Sequence, residues 1–242
     1  MGERFAQIVR SSSRMVFFGG AGVSTESGIP DFRSAEGLFS QDTGIEYPAE
    51  VVLSYSFFTS HPSEFFAYYR AHLLYPDAQP NPAHQGLARL EKEGKLAGVI
   101  TQNIDGLHQE AGSVEVVELH GSAKRYYCLD CQRQYGIDFI LSSVDLPTCT
   151  HCGGLVRPDV VMYEEALDTA VMSRAAAHLR TADTLIVGGT SLSVYPAAGL
   201  IDLFHGKNLV LINKEPSAAD RLATLAIHAP IGEVFQTLLE DS

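Results

Sequence analysis

Residues 17–33 read Phe17-Phe18-Gly19-Gly20-Ala21-Gly22-Val23-Ser24-Thr25-Glu26-Ser27-Gly28-Ile29-Pro30-Asp31-Phe32-Arg33, and this stretch decides the fold of the chain. The apolar run that enters it, residues 14–18, is typical of a buried strand in a parallel sheet. The glycines that follow allow a tight turn and bring backbone N–H groups close to a ligand. A strand, a glycine turn and a helix start together favour a pyrophosphate site.

The match to the dinucleotide pattern G-x-G-x-x-G is incomplete, because Thr25 stands where the third glycine is expected. The loop alone therefore leaves an ordinary glycine-rich turn open as an alternative. The second half of the stretch favours a ligand site, since Asp31, Phe32 and Arg33 place an acid, an aromatic ring and a base directly behind the loop. A plain dinucleotide fold would continue its helix there.

Apolar runs of strand length alternate with helical segments along the rest of the chain. The expected strands are 14–18, 96–100, 114–119, 183–187, 208–212 and 225–228, and the expected helices are 3–12, 62–74, 81–94, 166–180, 196–205 and 233–239. This alternation predicts an α/β fold with a Rossmann-like, doubly wound parallel sheet.

Polar or glycine-rich segments follow three further strands at the edge where open α/β sheets bind ligands. These segments are Gln102-Asn103-Ile104-Asp105, Gly189-Thr190-Ser191 and Asn213. The first would suit ribose hydroxyls and an amide, but a helix cap of the Asn-x-Asp type accounts for it equally and stays open. The acid expected about twenty residues beyond a dinucleotide loop is missing. Asn213 is therefore the expected partner of the ribose.

His120 lies at the end of an expected strand, next to Gly121 and just before a change of composition. A histidine in this place can serve as a general base near neutral pH. A satisfied structural histidine is the alternative, and the residues alone leave both open.

The only cysteines are two pairs, Cys128-x-x-Cys131 and Cys149-x-x-Cys152, with 17 residues between them. This spacing is that of a tetrahedral zinc site. Two disulfides are the alternative, but they are uncommon in a cytosolic chain without a secretion signal. Because four thiolates fill the coordination sphere, the zinc is expected to be structural and to hold together a loop-rich insert.

Composition sets the broad class. The chain has 242 residues, of which 45% are hydrophobic, and a net charge of -12 from 17 basic and 29 acidic residues. The acidic balance argues against direct nucleic-acid binding. We find neither a secretory h-region nor an apolar run of membrane-spanning length, so a cytoplasmic protein without a membrane partner is expected. The oligomeric state is not indicated.

The motifs above occur in the same order in the sirtuins, the NAD-dependent protein lysine deacylases, and the chain resembles this family over almost its whole length. Residues 20–24 and 28–33 match its NAD signature, Gly-Ala-Gly-x-Ser and Gly-Ile-Pro-Asp-Phe-Arg, at every position. Residues 101–108, 119–121, the cysteines, 189–192 and 212–213 match as well. The resemblance implies an NAD-binding domain of residues 1–33, 81–123 and 158–242, a helical insert (34–80) and a zinc-binding insert (124–157), with an acyl-lysine peptide between them.

The resemblance also implies roles for residues. The acyl oxygen would attack the nicotinamide ribose, and His120 would then activate a ribose hydroxyl, giving free lysine, nicotinamide and O-acyl-ADP-ribose. Asn103 would orient the ribose or a water, Ile104 and Asp105 would hold the nicotinamide amide, and Phe32 would shield the reacting carbon. The expected NAD contacts are Gly20, Ala21, Gly22, Thr25, Asp31, Phe32, Arg33, Gln102, Asn103, Ile104, Asp105, His120, Gly189, Thr190, Ser191, Asn213 and Ile231.

Two segments bear on the substrate. Where the family commonly has Phe-Gly-Glu, a segment that pairs with the substrate peptide through its backbone, this chain has Tyr163-Glu164-Glu165. Backbone pairing with a peptide is therefore expected to survive while side-chain preference changes. Succinyl- and malonyl-specific members share a Tyr-x-x-Arg pair on the helix before the Pro-Asn motif. Here Ala67 stands three residues before Arg70, which predicts preference for acetyl and other uncharged acyl groups. The aromatic residues of 62–74 either pack against the main domain or wall an apolar channel.

Activities from other classes remain as alternatives. A nicotinamide dehydrogenase would share the sheet and the cofactor. An NAD glycohydrolase or mono-ADP-ribosyltransferase would release nicotinamide without needing acyl-lysine. A zinc-ribbon scaffold without catalysis would be indifferent to replacement of His120.

Overall fold

The computed structural model describes residues 2–35, 37–40 and 46–240 of the chain. Its helices are α1 (Gly2–Ser11), α2 (Ala49–Val52), α3 (Tyr55–Ser60), α4 (Pro62–His72), α5 (Pro82–Lys92), α6 (Leu107–Glu110), α7 (Ile137–Ser142), α8 (Thr169–Thr181) and α9 (Ile231–Glu240). Its strands are β1 (Met15–Gly19), β2 (Leu96–Thr101), β3 (Val116–Glu118), β4 (Gly121–Cys128), β5 (Gln134–Gly136), β6 (Val156–Val160), β7 (Thr184–Gly188), β8 (Asn208–Asn213) and β9 (Leu225–His228).

Six parallel strands form the main sheet in the order β3-β2-β1-β7-β8-β9. Every residue of β1 is buried, as expected for a central strand covered on both faces. Phe5 of α1, Leu87 of α5 and Phe235 of α9 share the hydrophobic core on one face, and Ala175 and Leu179 of α8 lie in the core on the other. This arrangement confirms the expected α/β fold with a doubly wound sheet. The strand order reverses between β1 and β7, which is where such sheets bind ligands.

A second lobe stands on the carboxyl edge of this sheet. It contains helices α2 to α4 and the antiparallel sheet β5-β4-β6, whose strand β4 and connecting segments carry the cysteines. Phe65 and Tyr69 of α4 lie in one hydrophobic core with Tyr126 of β4 and Ile140 of α7. The two segments that the sequence predicts as the helical and zinc-binding inserts therefore share one hydrophobic core. The strands β4 and β6 also extend past residues 124–157 at both ends.

Several expected elements differ in extent, and three of these differences have an identifiable local cause. The third strand begins at Val116 and not at residue 114, because the Glu91 carboxylate accepts the N–H groups of Val114 and Glu115. Helix α8 begins at Thr169 and not at residue 166, because Asp168 caps its first amides. Residues 197–203 form a 3₁₀ helix in place of the expected α-helix, and Gly199 in its middle lowers α-helical propensity.

In the part of the chain that the structure describes, the helices are all too short or too polar to cross a bilayer.

Candidate active site

A cavity of about 1450 Å³ lies between the carboxyl edge of the parallel sheet and the second lobe. All residues that the sequence nominates for NAD contact line it: Gly20, Ala21, Gly22, Thr25, Asp31, Phe32, Arg33, Gln102, Asn103, Ile104, Asp105, His120, Gly189, Thr190, Ser191, Asn213 and Ile231. The opposite wall comes from the second lobe and includes Leu53, Phe65, Tyr69 and Met162. The topology of the sheet thus brings residues from five separate motifs into one space.

The two glycine turns interlock at the floor of this cavity. The amides of Gly20 and Gly22 donate to the carbonyl oxygens of Gly188 and Gly189, at 3.3 and 2.8 Å. A Cβ atom on Gly22 would lie 2.8 Å from the Cα atom of Gly189, so this contact requires glycine. The sequence predicts that the N–H groups of this loop lie close to a ligand, but the amides of Gly20 and Gly22 instead hold the two turns together. The chain then continues as short 3₁₀ turns, Ala21–Val23 and Thr25–Ser27, and not as a regular helix.

Side-chain hydrogen bonds join the carboxyl ends of strands β2, β7 and β8. Gln102 after β2 donates from Nε2 to the Thr190 hydroxyl after β7, at 3.1 Å. The backbone amide of Thr190 donates to Asn213 Oδ1 at the end of β8, also at 3.1 Å. These contacts orient the polar side chains along the cavity floor.

A second network connects the first glycine loop with the segment after β2. Asn103 Nδ2 donates to Ser24 Oγ at 3.0 Å, and the Ser24 hydroxyl donates to Asp105 Oδ2 at 2.7 Å. Asp105 Oδ1 also accepts the amide of Leu107 at the start of α6. Burial raises the pKa of Asp105, while the bonds from Leu107 and Ser24 act in the opposite direction. Asp105 thus accepts one amide at the start of α6, whose N-cap residue is Gly106, and it also lines the cavity.

Ser24 is the site residue that the sequence reasoning missed. It is buried and links two nominated residues, Asn103 and Asp105. Its place as the serine of the Gly-Ala-Gly-x-Ser signature was a signal that could have identified it.

His120 lies between β3 and β4 and lines the cavity. Its Nδ1 atom is 2.9 Å from the carbonyl oxygen of Gln102. A carbonyl can only accept, so Nδ1 carries the proton and Nε2 is the nitrogen with a free lone pair. Burial lowers the pKa of His120 below its ordinary value, against a smaller opposite effect of the Gln102 carbonyl. The imidazole is therefore neutral at physiological pH and able to accept a proton.

The loop behind the first glycine turn folds back on itself. The Asp31 carboxylate accepts the amides of Arg33 and Ser34, at 3.1 and 2.8 Å. The ring of Phe32 packs on Phe39 with 5.4 Å between ring centroids, and the Arg33 guanidinium lies 5.4 Å from the same Phe39 ring. Asp31 thus shapes the loop that presents Phe32 and Arg33 to the cavity.

The four cysteines form a compact cluster in the second lobe. All four are free, and their Sγ atoms lie within 4.8 Å of one another. The Cys128–Cys152 and Cys131–Cys149 sulfur separations are 3.4 and 3.5 Å, close to the roughly 3.8 Å between ligands of a tetrahedral zinc–thiolate site. The donor set therefore fits Zn²⁺. Four protein ligands leave no position for a water, so the site suits a structural role.

Comparison of the sequence with known proteins identifies relatives whose names match the NAD site and the deacylase activity that the motifs imply. The family model described as "Sir2 family" matches residues 20–196. An NAD-dependent protein deacetylase of Clostridium perfringens (strain 13 / Type A) is 56% identical over 98% of both chains, and one of Staphylococcus aureus (strain MSSA476) is 44% identical over 99% of this chain and 98% of its own.

Solved structures of Sir2 proteins superpose along the whole chain. A complex of Sir2 with p53 peptide and NAD⁺ has a TM-score of 0.87 at 40% identity, covering 100% of this chain and 98% of the other. A Sir2 variant with deacetylated p53 peptide and 3'-O-acetyl ADP ribose has a TM-score of 0.89 at 38% identity, covering 99% and 98%. The chain belongs to the Sir2 family, the sirtuins.

Proposed function

We propose that this chain is an NAD-dependent protein lysine deacetylase, which transfers the acetyl group of an acetyl-lysine to ADP-ribose and releases nicotinamide. The observation that carries the proposal is that His120, with Nε2 unprotonated, shares one cavity with both glycine turns and with the Asn103–Ser24–Asp105 network. The names of the relatives, NAD-dependent protein deacetylase, support the same activity.

In this proposal NAD, when bound, supplies the ribose that accepts the acyl group. His120 Nε2 takes the proton from a ribose hydroxyl, while the Gln102 carbonyl keeps the imidazole in the required tautomer. Asn103 and Asp105 hold polar groups of the nicotinamide half, oriented by Ser24. The Thr190–Asn213 pair lies where the adenosine half is expected. The apolar wall from Phe32 and the second lobe keeps water from the reacting centre.

The partner class is an acylated lysine in a peptide or protein, since solved Sir2 complexes contain p53 peptide or acetylated peptide. We propose that the enzyme prefers substrates in which the lysine carries an acetyl or another uncharged acyl group. The absence of a direct nucleic-acid partner and the cytoplasmic location stay predictions from the sequence.

The test is incubation with an acetyl-lysine peptide and NAD, followed by mass analysis of both products. We expect deacetylated peptide, nicotinamide and O-acetyl-ADP-ribose in equal amounts. Nicotinamide release at the same rate without peptide would instead identify an NAD glycohydrolase, and a peptide that gains the mass of ADP-ribose would identify a transferase. A dehydrogenase would produce NADH absorbance.

A further inference from the structure

The turn Tyr163-Glu164-Glu165 joins the parallel-sheet domain to the helical part of the second lobe. The amide of Tyr163 donates to the carbonyl of Leu53 at 3.1 Å, and the amide of Tyr55 donates to the carbonyl of Tyr163 at 3.0 Å. Leu53, Tyr163 and Glu164 all line the cavity. The turn therefore fixes one edge of the wall that faces the glycine loops.

The backbone of Glu164 has a φ of 76°, in the left-handed region that residues other than glycine seldom adopt. This conformation costs free energy for a residue with a Cβ atom. The common family pattern has glycine at this position, which would adopt this conformation without the cost. A compensating interaction of the side chain is expected.

The Glu164 carboxylate supplies that interaction. Its Oε2 atom accepts the backbone amide of Ser56 at 2.9 Å, and its Oε1 atom accepts the Ser56 hydroxyl at 2.9 Å. Both partners lie in the first turn of α3, 108 residues earlier in the chain. No ion pair to Glu164 occurs among the residues that the structure describes.

The start of α3 depends on this contact. Of its first three amides, that of Tyr55 is satisfied by the Tyr163 carbonyl, that of Ser56 by Glu164, and that of Phe57 by the Ser54 hydroxyl. Two of three caps thus come from the distant turn. Removing the carboxylate would leave the first turn of α3, and the adjacent Leu53, less well held against the cavity.

We propose that Glu164 is a positioning residue that holds the start of α3 in place, and with it Leu53 in the cavity wall, and thereby sets the affinity for the acyl-lysine peptide. The inference rests on the proposed deacetylase function. It predicts an effect on peptide binding and none on NAD binding, because the glycine turns and the strand-end network are not in contact with Ser56.

The test compares Glu164→Ala, Glu164→Gly and Glu164→Gln in the full chain. Alanine keeps the unfavourable φ and removes both hydrogen bonds, whereas glycine removes the bonds and relieves the backbone. Glutamine keeps an oxygen that can accept the Ser56 amide. We expect Ala and Gly both to raise the peptide KM about tenfold, the effect of losing a charge-assisted hydrogen bond. The NAD KM and kcat should stay within about twofold, and Gln should recover most of the peptide affinity.

Two control variants distinguish loss of the Glu164–Ser56 hydrogen bonds from loss of a negative charge. Glu50→Ala removes an equal charge from an exposed position on helix α2 of the same lobe and should leave the peptide KM unchanged. The double variant Glu164→Ala with Ser56→Ala should be less impaired than the sum of the two single effects, because both single variants remove the bond between the Ser56 hydroxyl and Oε1 of Glu164.

The proposal is overturned if Glu164→Gly binds peptide as the wild type does, since backbone strain alone would then explain the alanine variant. It is equally overturned if the KM values for NAD and peptide rise together, which would indicate general damage. A wild-type protein that fails to deacetylate any peptide contradicts the proposed function itself, and this is seen before any variant is made.

Discussion

One hydrogen bond determines which nitrogen of His120 can act as a base. The Gln102 carbonyl holds the proton on Nδ1, and the Gln102 side chain is itself tied to Thr190, so the carbonyl cannot move away freely. The same short segment after β2 thus orients the base and lines the cofactor space. The chemistry of this site depends on backbone geometry as much as on side-chain identity.

His120→Ala should abolish most deacetylation while NAD binding persists, because binding rests on the two glycine turns and the strand-end side chains. General-base catalysis contributes about 10²–10⁴-fold, so kcat/KM should fall by that order. Turnover assays on acetyl-lysine peptide and calorimetric titration with NAD measure the two effects separately. Near-wild-type turnover by a folded, NAD-binding variant would contradict the assignment.

A buried histidine pair behind the site makes stability depend on pH. His84 of α5 and His108 of α6 are both buried, with 4.7 Å between ring centroids. Burial lowers the pKa of His84 from 6.5 to about 4, against an opposite effect of Glu110, and burial together with His84 lowers the pKa of His108. An unfolded histidine binds its proton near pH 6.5. Between pH 6.5 and 4 the unfolded state therefore holds more protons, and stability is lost as the pH falls.

His84→Gln should flatten this dependence. The shift of His84 corresponds to about 3 kcal/mol of unfolding free energy between pH 7 and 4. Urea unfolding at pH 7, 5.5 and 4.5 should show a steeper loss for the wild type than for the variant. Equal slopes would mean that His84 is not the neutral buried group inferred here.

At the scale of elements, the sequence predicts best where one local pattern decides. The strands β1, β2, β7 and β8 are apolar runs that end at glycines or polar residues, and the structure has each of them. The prediction is weaker where a distant residue sets a boundary. Glu91 takes the amides that would otherwise begin β3 earlier, and no local pattern at residue 114 reveals this contact.

Helix α4 explains the expected choice of acyl group. It presents Phe65, Tyr69 and His72 to the cavity, whereas Arg70 is not among the cavity-lining residues in the part of the chain that the structure describes. The Arg70 guanidinium donates to the carbonyls of Ile140 and Asp145, at 3.2 and 2.6 Å. Turning it toward the cavity would break both bonds.

Succinyl-lysine should therefore be a poorer substrate than acetyl-lysine. Its carboxylate would lose hydration without gaining the guanidinium that Arg70 keeps elsewhere. On one peptide sequence, kcat/KM should be at least about tenfold higher for the acetyl form. A faster reaction with succinyl would show that a cation reaches the acyl pocket by another route.

At the scale of the whole molecule, the site could be predicted better than the lobe that covers it. Every nominated NAD residue lines the cavity, because the carboxyl ends of parallel strands meet at one edge and the motifs mark those ends. No motif in the sequence marks the residues that form the joint core of the two inserts. The face of α4 that carries Phe65 and Tyr69 is apolar in the sequence, but nothing in it names Tyr126 and Ile140 as partners.

This joint core implies that zinc supports more than its own insert. Cys128 and Cys149 lie in the same hydrophobic core as Phe58 and Phe65 of the helical insert. Because the core is continuous, loss of the metal should loosen α3 and α4 together with the antiparallel sheet, and with them the wall of the cavity. The parallel sheet has separate cores on its two faces and should be unaffected.

Cys152→Ala tests this coupling, because Cys152 is exposed and its loss removes a zinc ligand without opening a hole in the core. We expect metal analysis to show reduced zinc, peptide turnover to fall, and hydrogen exchange to rise in β4 to β6 and in α3 and α4 alike. Strands β1, β2 and β7 should keep their protection and serve as the internal control. If the faster exchange stayed within residues 128–152, the two inserts would be energetically independent despite their shared core. Full activity in a folded protein without zinc would exclude the structural role altogether.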